Sequence, residues 1–205
     1  ISGWRERFRV SDYDPQETSS SHCEGLHRYV IADSVLAATL IINVPKMKTH
    51  QKAGITGALK NLVGINGQKS CLAHHRVGPA AEGGDEFPPD IPRLIRWQVR
   101  LRDALQKESR LLFKLGRAGW RLLRRAQGIA TEGTRENLAG GKVYIASGSW
   151  YGNDTIWRMV YDLNRLIRYA PGAGSALVST AQRDYLVVLD GLTAGEGNGP
   201  LQPLP

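Results

Sequence analysis

The sequence predicts an α/β protein: a mostly parallel sheet flanked by helices, in one domain over 1–205, with a basic amphipathic helical insertion at 91–127. Three observations predict it. Short apolar, β-branched runs alternate with segments of helical periodicity. The hydrophobic fraction is 41% of 205 residues. That supports a core, yet no apolar run approaches the roughly 20 residues that span a bilayer. Each strong strand runs into a polar, glycine-rich stretch, the place where open α/β sheets bind ligands.

The elements follow in order. Residues 1–25 are polar and turn-rich (Ser11-Asp12-Tyr13-Asp14-Pro15, then Ser19-Ser20-Ser21) and read as loop. Arg28 to Ile31 reads as a short strand broken by Ala32-Asp33-Ser34. Thr39-Leu40-Ile41-Ile42-Asn43-Val44 is a buried strand ended by Pro45. Lys46 to Lys52 is a polar stretch. Gly54 to Val63 reads as a helix with Ile55, Leu59 and Leu62 on one side. Gly64 to Pro89, rich in Gly and Pro, reads as a long loop, of a length that is usually functional or disordered. Gly140-Gly141 leads into a second strand, Lys142-Val143-Tyr144-Ile145-Ala146. Asn153-Asp154 caps a helix running to about Arg168, with Ile156, Met159, Val160, Leu163, Leu166 and Ile167 in register. Tyr185 to Leu189 is the third strand, ending at Asp190-Gly191.

The net charge of +8, from 27 Lys+Arg against 19 Asp+Glu, sits in one place. Residues 91–127 hold nine Arg and two Lys against Asp103 and Glu108, so this segment carries +9 and the remainder is close to neutral. Leu94, Leu101, Leu105, Leu112, Leu115 and Leu122 form an apolar stripe through it. It reads first as an amphipathic helix or helical hairpin packed on the body with a solvated Arg face. Docking to an acidic protein or an anionic membrane surface is the alternative. Nucleic acid is the weakest partner, because no base-reading motif accompanies the charge. Cys23 and Cys71 exclude a disulfide framework and a four-thiolate metal site, and with no visible leader peptide a reduced, cytoplasmic setting is expected. The start at Ile1 and the Pro-rich end give the expectation of a chain cut at both ends.

Chemistry concentrates after the strands. Lys46, Lys48, Thr49, His50 and Lys52 precede a segment containing Gly54, Thr56 and Gly57. Ammonium groups beside free N–H groups at a helix start suit a phosphate or carboxylate, although the P-loop spacing is absent. Lys60, among Leu59 and Leu62, is either a base or nucleophile of depressed pKa or a side chain that snorkels to water. His74-His75-Arg76, followed by Glu82, Asp85 and Glu86, allows a divalent metal on His74, His75 and Asp85, but matches no standard metal motif and reads equally as a polar turn. Asp190 ends a strand, with Glu196 and Asn198 in the Gly-rich stretch beyond it. They suit cation binding, lysine orientation or acid–base work, against a local turn role for Asp190.

These strings also carry a resemblance. Ile42-Asn43-Val44-Pro45-Lys46-Met47-Lys48-Thr49-His50 with Gly54-Ile55-Thr56-Gly57-Ala58-Leu59-Lys60-Asn61-Leu62-Val63-Gly64 resembles the signature of the family described as domain of unknown function 362. Val188-Leu189-Asp190-Gly191 through Glu196-Gly197-Asn198-Gly199-Pro200 is similar to its second signature. His74-His75-Arg76-Val77-Gly78 with Gly83 to Pro88, and Trp150 to Thr155, resemble motifs of a subgroup. Some members of that family carry iron–sulfur modules, which implies redox partners. More distantly, His50, Gly54, Gly57 and Lys60 resemble the nickel-pincer lactate racemases, where the Lys anchors the cofactor, one His binds nickel and another exchanges a proton. Here His74 or His75 lies near the place of the last His and Arg76 falls nearest it, so the resemblance implies a shared fold and site location more than a shared cofactor.

Together these readings give an enzyme-like protein that binds a small anionic substrate. His50, Lys60 and Asp190 are the candidate catalytic groups. Lys46, Lys48, Thr49, Thr56, Asn61, Arg76, Glu196 and Asn198 are the candidate binding groups, and metal assistance is open. The alternative is a non-catalytic redox or assembly partner, iron–sulfur-associated, docking through 91–127.

Overall fold

The computed structural model describes residues 7–10, 13–23, 25–89, 93–108, 116, 118–119, 147–172, 176–197 and 203–204. The chain opens with β1 (Phe8–Arg9) and α1 (Pro15–Ser21). Where the sequence suggested loop, Asp14 accepts a hydrogen bond from Gln16 N at 2.8 Å and Pro15 takes the first helical position. A capping Asp followed by Pro starts a helix as readily as a turn. A hairpin of β2 (His22–Cys23) and β3 (Leu26–His27) follows, then the single turn α2 (Asp33–Leu36).

Next come β4 (Leu40–Asn43), β5 (Lys46–His50), β6 (Gly54–Thr56), the short helix α3 (Ala58–Asn61), β7 (His75–Arg76) and α4 (Arg93–Glu108). After them come α5 (Ile156–Tyr169), β8 (Asp184–Val187), β9 (Asp190–Gly197) and β10 (Pro203–Leu204). The polar stretch after the first strand is therefore a strand itself, and the expected helix from Gly54 begins as a strand. So does the Gly-rich stretch from Asp190.

The protein mixes helices with small sheets, some of them parallel. β4 pairs with β8 in parallel, Leu40 opposite Asp184 through Asn43 opposite Val187. A mixed sheet runs β10-β9-β5-β6, with β5 parallel to β9 and antiparallel to β6. β1 pairs with β7. Among the described residues the sheets are small and mixed rather than one mostly parallel sheet. The reason is that β5 finds partners on both sides, a hairpin strand and a parallel strand. The strand expected at Lys142–Ala146 lies outside the described residues. One face of the β4–β8 pair is bare: Leu40, Ile42 and Leu186 are all at least half exposed.

The core forms along α5, where Ile156, Met159, Val160, Leu163 and Ile167 recur at three- and four-residue spacing and are buried with Leu72. The helix is capped at Thr155 without a side-chain cap bond, and Asn153, two residues earlier, accepts at Oδ1 from Thr155 N and Ile156 N. At the other end buried Arg183 donates to the carbonyls of Ile167, Ala170 and Leu36. A second apolar cluster joins Phe87 and Val99 of α4. The long loop before α4 is largely buried and held by Asp85 and Glu86. Among the described residues no helix is long and apolar enough to cross a membrane.

Candidate functional site

Strand alternation places Lys46, Lys48 and His50 on one face of β5. The hairpin sets Thr56 opposite Lys48 and Gly54 opposite His50. Gly54, at φ +72°, makes the tight return that this pairing requires. On the other side of β5, Gly195 lies opposite Lys48, and a Cβ there would sit 2.9 Å from Lys48 Cβ, so only glycine lets β9 approach. From the end of β6 the chain passes into α3 and brings in Lys60. Its position is tied down by Asn43, which is 4% exposed in the middle of the apolar run. Asn43 donates to Ala58 O at 2.7 Å and accepts from Asn61 Nδ2 at 2.7 Å.

His50, Lys60 and His74 form one electrostatic cluster with Lys48 and Lys52. Burial, then the charges of Lys60, Lys52 and Lys48, lower the His50 pKa to about 4. Burial and Lys52 lower that of His74 to about 4, with Lys60 and His50 adding to the effect and the hydrogen bond to Leu72 opposing it. Burial, then Lys48, lower Lys60 from the usual ammonium range. Both imidazoles are therefore neutral at pH 7. Neither Lys48 nor Lys60 has an ion pair among the described residues.

Hydrogen bonds set the two tautomers apart. His50 Nδ1 accepts from the backbone N–H of Lys52 and of Ala53, each at 3.2 Å, so the ring proton is on Nε2. His74 Nδ1 donates to the Leu72 carbonyl, so its Nε2 carries a lone pair. One imidazole offers a proton and the other accepts one. The Thr56 hydroxyl is buried without a partner among the described residues, on the same face as Lys48. Buried hydroxyls normally find partners, and a bound polar group would supply one.

The remaining candidates fall elsewhere. Asp190 pairs with Lys46 at 3.2 Å, both exposed, at the start of the β5–β9 pairing. His50 is four strand positions further on, about 13 Å along the strand. Glu196 follows the residue opposite Lys48 and is exposed, Thr49 is on the alternate face of β5, and Asn61 is spent on Asn43. Asn198 lies outside the described residues. Arg76 is buried beside Asp85 at 3.5 Å and Asp154 at 3.7 Å.

The metal trio is not assembled. Asp85, 2% exposed, accepts from Arg76 N, from Asp154 N at 3.0 Å and from Thr155 Oγ1 at 2.6 Å. His75 is buried with Nε2 3.7 Å from Glu86, and burial drives its pKa well down. Among the described residues no three His, Cys, Asp or Glu side chains are placed to hold a metal ion, so a metal on His74, His75 and Asp85 does not fit. Asn43 and Arg183 are positioning groups that the sequence reading passes over. An Asn inside a β-branched strand is the one signal that could have marked either of them.

A family model described as domain of unknown function (DUF362) matches residues 5–205. No curated protein and no solved structure matches the chain.

Proposed function

The chain belongs to the DUF362 family, and from that premise we propose that Lys48, His50, Thr56, Lys60 and His74 bind a small anionic substrate, a carboxylate or a phosphate, and that the His74 imidazole takes and returns a proton on it with His50 as hydrogen-bond donor. One observation carries the reading: two lysines without ionic partners among the described residues stand beside two neutral imidazoles of opposite tautomer. Clustered positive charge of this kind is relieved by a bound anion. Lys48 and Lys60 hold the anion and Thr56 donates to it. His74 Nε2 takes a proton from the substrate and returns it, while the neutral His50 donates a hydrogen bond from Nε2–H to the negative charge that develops, a division of labour that follows from the tautomers. Asp190 serves Lys46 and lies outside this set.

Calorimetric titration with inorganic phosphate and with lactate tests the binding. Lys60→Ala should weaken it at least tenfold and Asp190→Asn should leave it unchanged; no heat from either anion, or no change in Lys60→Ala, defeats the proposal. Solvent deuterium entering the carbon next to a bound carboxylate, lost in His74→Gln, tests the proton transfer.

The proposal extends to setting and architecture. Free thiols at Cys23 and Cys71 support a cytoplasmic location. The bare apolar face of β4–β8 supports a larger parallel sheet in a single domain, since parallel sheets are covered on both faces. A second reading, a non-catalytic assembly partner, has its own support. On α4, Trp97 (61% exposed) and Leu101 (44%) lie one turn apart beside exposed Arg100. Such a strip suits an acidic protein, and Arg100→Glu with Trp97→Ala should abolish salt-sensitive capture of that partner.

A further inference from the structure

We propose a second ligand site, separate from the lysine–imidazole cluster: the cavity of about 590 Å³ between the β2–β3 hairpin and α5 takes an aromatic carboxylate, its rings on the aromatic wall and its carboxylate on Arg165. The volume is that of ordinary small-molecule sites. The wall is a run of rings. Phe8 and Tyr29 meet the His22 ring edge to face, with centroids 5.7 and 5.4 Å away.

The polar tips in that wall are already satisfied. Tyr29 OH donates to Asp162 at 3.1 Å, and burial together with Asp162 keeps the phenol protonated. His22 Nε2 donates to the Cys71 carbonyl, so Nδ1 accepts from His27 Nδ1 at 3.0 Å. Burial lowers the His22 pKa, and at 1% exposure the neutral ring backs the wall without offering a face of its own. The ring surface open to a ligand is that of the partly exposed lining residues Phe8, Tyr29, Trp157 and Tyr161.

The rim differs. Trp157, Tyr161 and Arg165 recur every fourth residue, so they form one stripe on α5. Trp157 is 51% and Tyr161 56% exposed, on the side of an amphipathic helix where polar residues belong. Arg158 lies over the Trp157 ring at 4.5 Å and bonds Asp154 at 3.1 Å, a carboxylate it shares with Arg76. Arg76 is paired with buried Asp85 as well as with Asp154, and Arg158 with Asp154, so Arg165 is the cavity's guanidinium without an ion pair among the described residues. The unpaired Arg165 guanidinium stands beside exposed rings, and a planar aromatic monoanion complements both.

The site adjoins the first one without sharing its groups. Ala73 lines the cavity, while the next residue, His74, belongs to the lysine cluster. Calorimetry with naphthylacetate tests the proposal on the whole chain, with naphthylacetamide and cyclohexylacetate as matched probes. Binding of naphthylacetate is expected, at least tenfold weaker for the amide, at least fivefold weaker for the saturated acid, and at least tenfold weaker in Arg165→Gln. Lys60→Ala should leave it unchanged, which separates this site from the other. Absence of binding, equal binding of acid and amide or of aromatic and saturated acid, or indifference to Arg165→Gln overturns it. So does loss of binding in Lys60→Ala with Arg165→Gln unaffected, which would place the acid in the lysine cluster.

Discussion

Replacing Asp85 by Asn separates a structural carboxylate from a chemical one. In the native protein its two oxygens take three donors: the backbone N–H of Arg76, the backbone N–H of Asp154 and the Thr155 hydroxyl. The Arg76 guanidinium sits 3.5 Å away, and both residues are buried. An amide keeps one acceptor oxygen and turns an NH2 group toward a donor that can no longer be satisfied. Each lost bond to a charged acceptor costs about 1.5–3 kcal/mol. Removing one partner of a buried ion pair costs about 3–5 kcal/mol in all. Asp85→Asn should therefore lose about 3–5 kcal/mol in urea unfolding. Asp190→Asn, whose pair with Lys46 is exposed, should lose less than about 1 kcal/mol. Phosphate titration of the folded Asp85→Asn fraction should be unchanged. A loss below about 1 kcal/mol, or equal losses in the two variants, would refute the assignment.

Three further outcomes follow from the same geometry. His50 and His74 have pKa values of about 4 when folded, below the ordinary 6.5, so the unfolded chain binds more protons between these values. Stability should be flat above about pH 7 and should fall as pH drops from about 6.5 through about 4; urea midpoints across that range in His50→Gln and His74→Gln should each show a shallower fall. Arg183→Ala strips the carbonyls of Ile167, Ala170 and Leu36 of a buried donor and should cost about 3–5 kcal/mol by thermal unfolding, with no rescue by Lys, whose single ammonium cannot span them. Gly148, at φ +75°, has Asn153 Nδ2 only 2.9 Å from where a Cβ would be. Gly148→Ala should lower stability by about 1–3 kcal/mol, read by the same melts.

Elements with apolar periodicity are legible in the sequence. Leu40–Asn43, Asp184–Val187 and the helix Ile156–Tyr169 lie close to where β-branched runs and three-four spacing put them. β5 is not legible, because Lys-Met-Lys-Thr-His has no apolar face of its own. It becomes a strand only through β6 and β9, partners in sequence regions read as helix and loop. The cluster of Lys48, His50 and Lys60 is visible as a dense polar string. The separation of Asp190 from it is not, because that depends on the register of a parallel pairing, Lys46 opposite Asp190.

The adjacent histidines show why a residue pair in sequence need not be a pair in space. His74 and His75 enter and begin the extended segment β7, where successive side chains leave on opposite sides. His75 turns inward to Glu86, which also takes Arg102 and the Gly78 N–H. His74 is left with the lysines, its Nδ1 fixed by the Leu72 carbonyl. Two ligands to one ion would need both rings on one side, which the extended backbone forbids. The same alternation gives His74 a more specific role. With its Nδ1 proton committed to a carbonyl and its charge suppressed by neighbouring ammonium groups, Nε2 remains a lone pair at neutral pH. A lysine cluster beside a metal would repel the ion; beside a neutral imidazole, in the function proposed above, it would recruit an anion and leave the base free to act on it.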